Sequence, residues 1–257
     1  MASLGWPFVM VFSFIVFQGL FHFLSARISM LCCKGFRTLT DLQKTEWNSR
    51  IVSTFHALVV GILCLYLLWV DDAVNADPVW GDPSLVKLNV GLTAGYLISD
   101  LLLILWYWKA IGDKYFVIHH LTALCAYYYV LGQGLLPYFA NFRLIAEFST
   151  PFVNQRWFFE VLGYPKTSRV NLTNGILMVV VFFTVRIAVM PLYYGKMIST
   201  FGTEAFSKLG QRAQFVWIAS SICLDIMNVM WMYKIARGCH KVLLARKLAC
   251  QENGKLK

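Results

Sequence analysis

The chain alternates apolar stretches of helical length with short polar connections, and seven such stretches can be distinguished. They cover residues 5–26, 51–70, 85–108, 115–131, 137–159, 172–194 and 215–233. A helix that crosses the hydrocarbon core of a bilayer needs about 20 predominantly apolar residues. The pattern therefore predicts an all-α, polytopic membrane protein with about seven transmembrane helices.

Polar residues interrupt three of these stretches in a way that indicates a site. The fourth stretch contains two adjacent histidines, His119 and His120, and the third contains Asp100 near its centre. The polar residues of the fifth stretch are spaced by 4, 3 and 4 positions and so share one face of a helix: Arg143, Glu147, Thr150 and Asn154. Titratable groups at membrane depth are costly and usually functional. These residues predict a polar pocket inside the membrane.

The composition supports the membrane assignment. Hydrophobic residues make up 58% of the 257 residues and charged residues only 14%, whereas a soluble domain carries about a quarter charged residues. The formal net charge of +10 comes from basic residues in the connections and near the C-terminus. This placement predicts contact with anionic lipid headgroups and argues against nucleic-acid binding.

The distribution of basic residues also predicts the orientation. The connections after the first, third and fifth stretches and the C-terminal tail are basic, whereas the connection after the second stretch is acidic. Under the positive-inside rule, the N-terminus faces the lumen or exterior and the C-terminus faces the cytosol. Cys32 and Cys33 then lie at a cytosolic membrane edge beside Lys34 and Arg37, a setting suited to palmitoylation.

Four segments together resemble the signature of the TLC-domain family. They are residues 47–56, Gly95–Asp100, the pair His119–His120 and Glu147–Thr150, and the resemblance covers about residues 40–240. The family includes ceramide synthases and translocon-associated membrane proteins. The resemblance implies that six of the helices surround a central cavity. It divides the chain into a first transmembrane helix with a cytosolic linker (1–39), the TLC domain (40–240) and a basic cytosolic tail (241–257).

Ceramide synthases of this family carry paired histidines and a downstream His-Asp cluster, and they transfer a fatty acyl group from coenzyme A to a sphingoid amine. This chain has the histidine pair, but Glu147-Phe-Ser-Thr150 stands in the region of the downstream cluster. The resemblance therefore implies a lipid pocket, while the missing cluster argues against ceramide synthesis.

The residue types suggest chemical roles within this pocket. We assign catalysis to His119 and His120, because a neutral imidazole accepts a proton from an attacking hydroxyl or amine, or takes an acyl group itself. Glu147 or Asp100 would orient the working histidine, as acids do in catalytic triads. The alternative is that the histidines only join helices through hydrogen bonds.

Four further residues are candidates for substrate binding: His56, Arg143, Thr150 and Asn154. Arg143 suits a phosphate or carboxylate headgroup, because its guanidinium donates paired hydrogen bonds. Alternatively, Arg143 and Glu147 are four residues apart and neutralise each other. Metal binding is a third interpretation of the histidines and acids. Because no H-x-x-x-H spacing brings two histidines onto one helix face, no metal site is predicted.

The sequence thus favours a lipid-handling protein in membrane lipid homeostasis, in one form an acyltransferase-like enzyme acting on a lipid hydroxyl or amine. Membrane lipids are the expected partners, acyl-CoA is the expected co-substrate, and no resident cofactor is expected. The rival class is a non-enzymatic lipid sensor, a regulator of membrane composition or a cargo receptor. A transporter is disfavoured, because the sequence shows no internal repeat. The expected location is the endoplasmic reticulum membrane, with the Golgi or plasma membrane as alternatives.

Overall fold

A computed structural model describes residues 5–255 of the chain, with side chains described up to Lys247. Within this part the regular elements are helices, and there is no strand. The main helices are α1 (Gly5–Cys32), α2 (Asp41–Val70), α3 (Ser84–Trp106), α4 (Lys114–Gln133), α5 (Pro137–Arg143), α6 (Thr150–Val161), α7 (Arg169–Ile198) and α8 (Gln211–Lys255). A 3₁₀ segment, Leu144–Ser149, joins α5 directly to α6. The side chains of the predicted tail beyond Lys247 lie outside the described residues.

The predicted all-α, polytopic membrane fold is confirmed. Helices α1, α2, α3, α7 and α8 are each long and apolar enough to cross a membrane, by length and composition. Helix α4 and the continuous run from α5 through the 3₁₀ segment to α6 complete seven helical columns in the described part. These two columns carry the histidine pair and the polar stripe, which lowers their mean hydropathy.

Two helices extend well beyond the apolar stretches that predict them. Helix α2 begins at Asp41, because Thr40 and Gln43 form a reciprocal capping box there. Helix α8 continues through the basic residues after the seventh apolar stretch as far as Lys255. Hydropathy marks the part of a helix that lies in lipid, so it misses turns that continue into water.

Helices α1 and α3 pack with their backbones in close contact. A Cβ atom at Gly95 would overlap the carbonyl oxygen of Met10 and lie 2.7 Å from Cβ of Ser13. The hydroxyl of Ser13 in turn donates a 2.7 Å hydrogen bond to the carbonyl of Leu92. Small residues permit this approach between membrane helices. The contact holds α1 against the outside of the bundle.

The core of the described residues contains three apolar clusters: a small one around Phe36, Trp47 and Phe158, and two larger ones that flank a polar centre. One of the larger clusters contains residues of α1, α2, α3 and α4, among them Phe17 and Val90. The other joins α5, α7 and α8 and contains Phe139, Tyr193 and Trp217. Large apolar side chains also cover the outer faces of the helices, as contact with lipid tails requires.

Aspartates in the connection between α2 and α3 cap nearby backbone N–H groups. Asp71, Asp77 and Asp82 each accept a hydrogen bond from a backbone N–H two or three residues later. The hydroxyl and the backbone N–H of Ser84 both donate to Asp82 and hold the pKa of that carboxyl below its ordinary value. These acids have a structural explanation and do not belong to the site.

Candidate functional site

The two adjacent histidines of α4 point in different directions, because successive residues of a helix are about 100° apart. Nδ1 of His120 donates to the carbonyl of Phe116 at 2.7 Å, and its Nε2 lies 3.0 Å from Oδ2 of Asp100 on α3. His119 lies on the other side, with its ring 5.5 Å from that of Trp231 on α8. The pair therefore contacts two different neighbouring helices.

Both ring nitrogens of His120 are engaged. A carbonyl oxygen can only accept, so Nδ1 carries a hydrogen, and one further proton lies between Nε2 and the Asp100 carboxylate. His120 and Asp100 are both buried. His120 is thus fixed in orientation and has no nitrogen left over for a substrate. The geometry suits a residue that positions its surroundings.

His119 has the opposite character. Its Nδ1 atom is buried and has no hydrogen-bond partner among the described residues. The side chain lines a cavity of about 60 Å³ between α4, α7, α8 and the 3₁₀ segment, together with Glu147 and Arg186. A buried polar atom without a partner costs about 1–3 kcal/mol, and a polar cavity of this size admits water or the polar end of a larger ligand. The arrangement leaves His119 open to a ligand.

Glu147 connects this cavity to a second buried histidine. The hydroxyl of Thr150 donates to Oε2 of Glu147 at 3.1 Å, and Nδ1 of His56 lies 4.0 Å from the same oxygen. The His56 ring stacks on Tyr96 with centroids 3.8 Å apart, and neither ring nitrogen has a hydrogen-bond partner among the described residues. His56 and Thr150 therefore lie behind Glu147 and are not among the residues that line the cavity.

The polar stripe predicted from spacing does not form one continuous face. The 3₁₀ segment between Arg143 and Thr150 has about three residues per turn, so it rotates later positions relative to an α-helix. Asn154 turns to α2, where its amide donates to the carbonyl of Arg50 at 3.1 Å and to the hydroxyl of Thr54 at 3.0 Å. The structure thus places Asn154 at a contact between α6 and α2, away from the cavity.

Arg143 lines the cavity but is already occupied. Both of its terminal nitrogens donate to the carboxylate of Asp225 on α8. Its guanidinium also lies over the ring of Tyr193, 3.9 Å from the centroid, a cation–π arrangement. Arg143 and Glu147 form no ion pair, so the alternative in which they neutralise each other is not realised. The partner of Arg143 comes from a helix that follows much later in the chain.

Arg186 is a site residue that the spacing analysis missed. It lies in a π-helical segment of α7, Phe183–Ala188, and such segments often occur at functional sites. Its Nε donates to the hydroxyl of Ser149 at 2.8 Å, and its Nη1 donates to Oδ1 of Asn228 at 2.9 Å. No described carboxylate lies within 4.0 Å of its guanidinium. An arginine inside an otherwise apolar run was the signal available in the sequence.

A second cavity of about 40 Å³ adjoins the first. It is lined mainly by apolar and aromatic side chains of α4, α5 and α8, such as Val130, Phe139 and Trp217. The two cavities share five lining residues: Ala123, Tyr127, Arg143, Tyr193 and Leu224. A cavity lined by charged groups therefore lies next to an apolar one, which is the division found in an amphiphilic ligand.

The same residues do not form a metal centre. Among the described side chains, no group of three histidine, cysteine, aspartate or glutamate residues is placed to hold a metal ion. His120 and Asp100 bind each other, whereas the His119 ring packs against Trp231 of α8.

Comparison with known proteins yields one family and several relatives. A family model described as TLC domain matches residues 46–237. TLC domain-containing protein 4-B of Xenopus laevis is 68% identical over 252 residues, which cover 97% of this chain and 96% of that protein. The human TLC domain-containing protein 4 is 56% identical over 231 residues, covering 90% and 88%. Topoisomerase I damage affected protein 4 of Saccharomyces cerevisiae is 28% identical over 249 residues, covering 93% and 84%. No solved structure matches the chain.

Proposed function

The chain belongs to the TLC-domain family, and from this membership and the geometry of His119 we propose that it handles membrane lipids as an acyltransferase. The acceptor is a lipid hydroxyl or amine, and the acyl donor is acyl-CoA. The location that fits this activity is the endoplasmic reticulum membrane. The role that follows for the cell is control of membrane lipid composition.

The proposal rests on two observations about His119: its Nδ1 has no hydrogen-bond partner among the described residues, and its side chain lines a cavity with Glu147 and Arg186. A neutral imidazole there can take the proton from a hydroxyl as its oxygen attacks the thioester carbonyl. The new ester bond forms as the carbon–sulfur bond breaks, and the departing thiolate of coenzyme A takes up the proton. An amine acceptor gives an amide by the same steps.

His120 and Asp100 support this reaction as positioning residues. Their contact at 3.0 Å ties α4 to α3 and fixes the rotation of α4 about its axis. The direction of His119 follows from that rotation, because the two histidines are neighbours on one helix. In this proposal His119 contacts the substrate, and His120 holds α4 in position through Asp100.

The adjoining apolar cavity supports an amphiphilic substrate. A lipid whose reacting group lies beside His119 has room for the start of its chain among Val130, Phe139 and Trp217. The chain would run on between the helices toward the bilayer. A water-soluble substrate without an apolar chain would leave this apolar cavity unfilled.

The proposal is tested by untargeted lipidomics on cells that lack the protein and are rescued at matched abundance. We expect His119→Ala to give the same lipid profile as the empty vector. His22→Ala is the matched control, because His22 is an exposed histidine on α1, and it should rescue fully. Full rescue by His119→Ala would reject the enzymatic function. It would leave a lipid sensor, a regulator of membrane composition or a cargo receptor as the function of the same pocket.

A further inference from the structure

We propose that the cavity beside His119 binds a zwitterionic phospholipid headgroup, with the phosphate on Arg186 and the ammonium group on Glu147. The inference rests on the proposed function, since it takes this cavity as the place where the lipid is handled. It names the substrate class: a phospholipid whose headgroup carries both charges.

Arg186 provides the positive end. A guanidinium stays charged in proteins, and inside a membrane such a charge is normally matched by a partner. The described partners of Arg186 are neutral, namely the hydroxyl of Ser149 and the amide oxygen of Asn228. They engage Nε and Nη1, whereas Nη2 donates to no described acceptor. Arg186 is therefore oriented by its neighbours and still has a charge and a donor to offer.

The contrast with Arg143 sharpens the assignment. Arg143 lines the same cavity, but Asp225 takes both of its terminal nitrogens and Tyr193 covers its face. An incoming phosphate would have to displace a carboxylate from Arg143. At Arg186 it would displace nothing charged. We therefore assign to Arg186 the anion-binding role that the sequence suggests for Arg143.

Glu147 provides the negative end of the cavity. Its Oε2 accepts from Thr150, while its Oε1 accepts no hydrogen bond from a described residue. Glu147 and Arg186 both line the cavity, but they form no ion pair within 4.0 Å; the described basic side chain within that distance of Glu147 is His56. A headgroup that places a phosphate at one of them and an ammonium at the other neutralises both. A purely anionic headgroup would leave Glu147 beside a second negative charge.

The test measures lipid binding directly, without turnover. The purified full-length chain in detergent is mixed with phosphatidylethanolamine or phosphatidylglycerol, and retained lipid is counted by native mass spectrometry. We expect the wild type to retain phosphatidylethanolamine at least several-fold better than phosphatidylglycerol. Arg186→Gln should lower retention of both by about tenfold or more, the effect of losing a charged hydrogen bond. Glu147→Gln should remove the preference between the two lipids.

Two further variants keep the test decisive. Arg186→Lys keeps the charge, so it should retain less lipid than the wild type and more than Arg186→Gln. If Arg186→Gln does not fold, the comparison of Arg186→Lys with the wild type carries the test. Arg169→Gln removes a basic residue from the start of the same helix, outside the cavity, and should leave retention unchanged. Wild-type retention by Arg186→Gln, or an unchanged lipid preference in Glu147→Gln, would overturn the inference.

The outcomes also separate this inference from the proposed function. If Arg186→Gln retains phospholipid normally while His119→Ala fails to restore the lipid profile of the cells, the headgroup assignment is wrong and the enzymatic function stands. If His119→Ala rescues fully while Arg186→Gln loses phospholipid, the enzyme is wrong and the headgroup site stands.

Discussion

Arg143 and Asp225 form a two-point ion pair that joins the end of α5 to the middle of α8. Both terminal nitrogens of the guanidinium take part, and Tyr193 of α7 covers its face. Three helical columns therefore meet at one charged contact beside the cavity. The pair is a structural element of the site, since neither charge is available to a ligand without breaking it.

The first prediction concerns this pair. Asp225→Asn leaves the Arg143 guanidinium without its counter-charge; the Arg143 side chain is 18% exposed, so the cost should approach but not exceed the about 3–5 kcal/mol that breaking a fully buried pair costs. We expect a lower midpoint of thermal unfolding in mild detergent. Size-exclusion chromatography with fluorescence detection, run after heating to a series of temperatures, measures that midpoint. The double variant Arg143→Met, Asp225→Leu removes both charges and should recover much of the loss. A double variant no more stable than Asp225→Asn would contradict this account.

The second prediction separates the two histidines. His120→Ala removes the buried contact between α4 and α3, and Asp100→Asn removes its charge; hydrogen bonds to charged groups are worth about 1.5–3 kcal/mol. Both variants should unfold at lower temperature than the wild type. His119→Ala removes no described hydrogen bond of Nδ1 and should have a smaller effect. Equal loss of stability in His119→Ala and His120→Ala would show that the two share a structural role.

Much of the architecture follows from local patterns in the sequence. Apolar length predicts the helical columns, and polar residues inside them, such as His120 and Asp100, predict where a polar centre lies. These signals act within one helix, so spacing along the chain is enough to read them. The family signature adds the relation between the segments.

The pairing inside the site depends on geometry that local spacing does not contain. Arg143 meets Asp225 across 82 positions of the chain, so its partner could not be identified from a nearby residue. The 3₁₀ segment Leu144–Ser149 rotates Glu147 and Thr150 relative to Arg143, and neither composition nor period marks that change. Arg186 was visible only as a charge in an apolar run. Its neutral partners are what distinguish it from a paired arginine.

The third prediction tests the contact between α1 and α3. A methyl group at Gly95 would overlap the backbone of α1 at Met10, so Gly95→Ala must push α1 away. Overpacking of this kind costs about 1–3 kcal/mol. Gly91→Ala is the matched control, because its new Cβ would lie 3.4 Å or more from its neighbours on α1, an ordinary van der Waals contact. Thermal unfolding of the two variants should differ clearly, and equal midpoints would exclude close packing at Gly95.

The fourth prediction concerns the two cysteines at the end of α1. Cys32 is exposed, whereas Cys33 is half-buried and packs against the cluster that contains Phe36 and Trp47. The sequence suggests palmitoylation of both, but of these two cysteines only Cys32 is exposed. Acyl-exchange labelling should therefore be lost in Cys32→Ser and kept in Cys33→Ser. Full labelling of Cys32→Ser would place the modification elsewhere.

The last prediction concerns His56, which is buried against Tyr96 with two unpartnered ring nitrogens. Its ring contributes packing and stacking to the fold, while its nitrogens contribute no described hydrogen bond. His56→Phe keeps a planar ring and removes the unpartnered atoms, so the change in unfolding free energy should stay below about 1.5 kcal/mol. His56→Ala empties the site and should cost about 3–5 kcal/mol, as truncation of a buried ring does. Denaturation of the purified variants at equal protein concentration measures both. If His56→Phe destabilises as much as His56→Ala, the nitrogens of His56 hold the fold together through partners such as bound water. A stable His56→Phe variant then allows the lipid-retention assay to show whether those nitrogens act on the headgroup through Glu147.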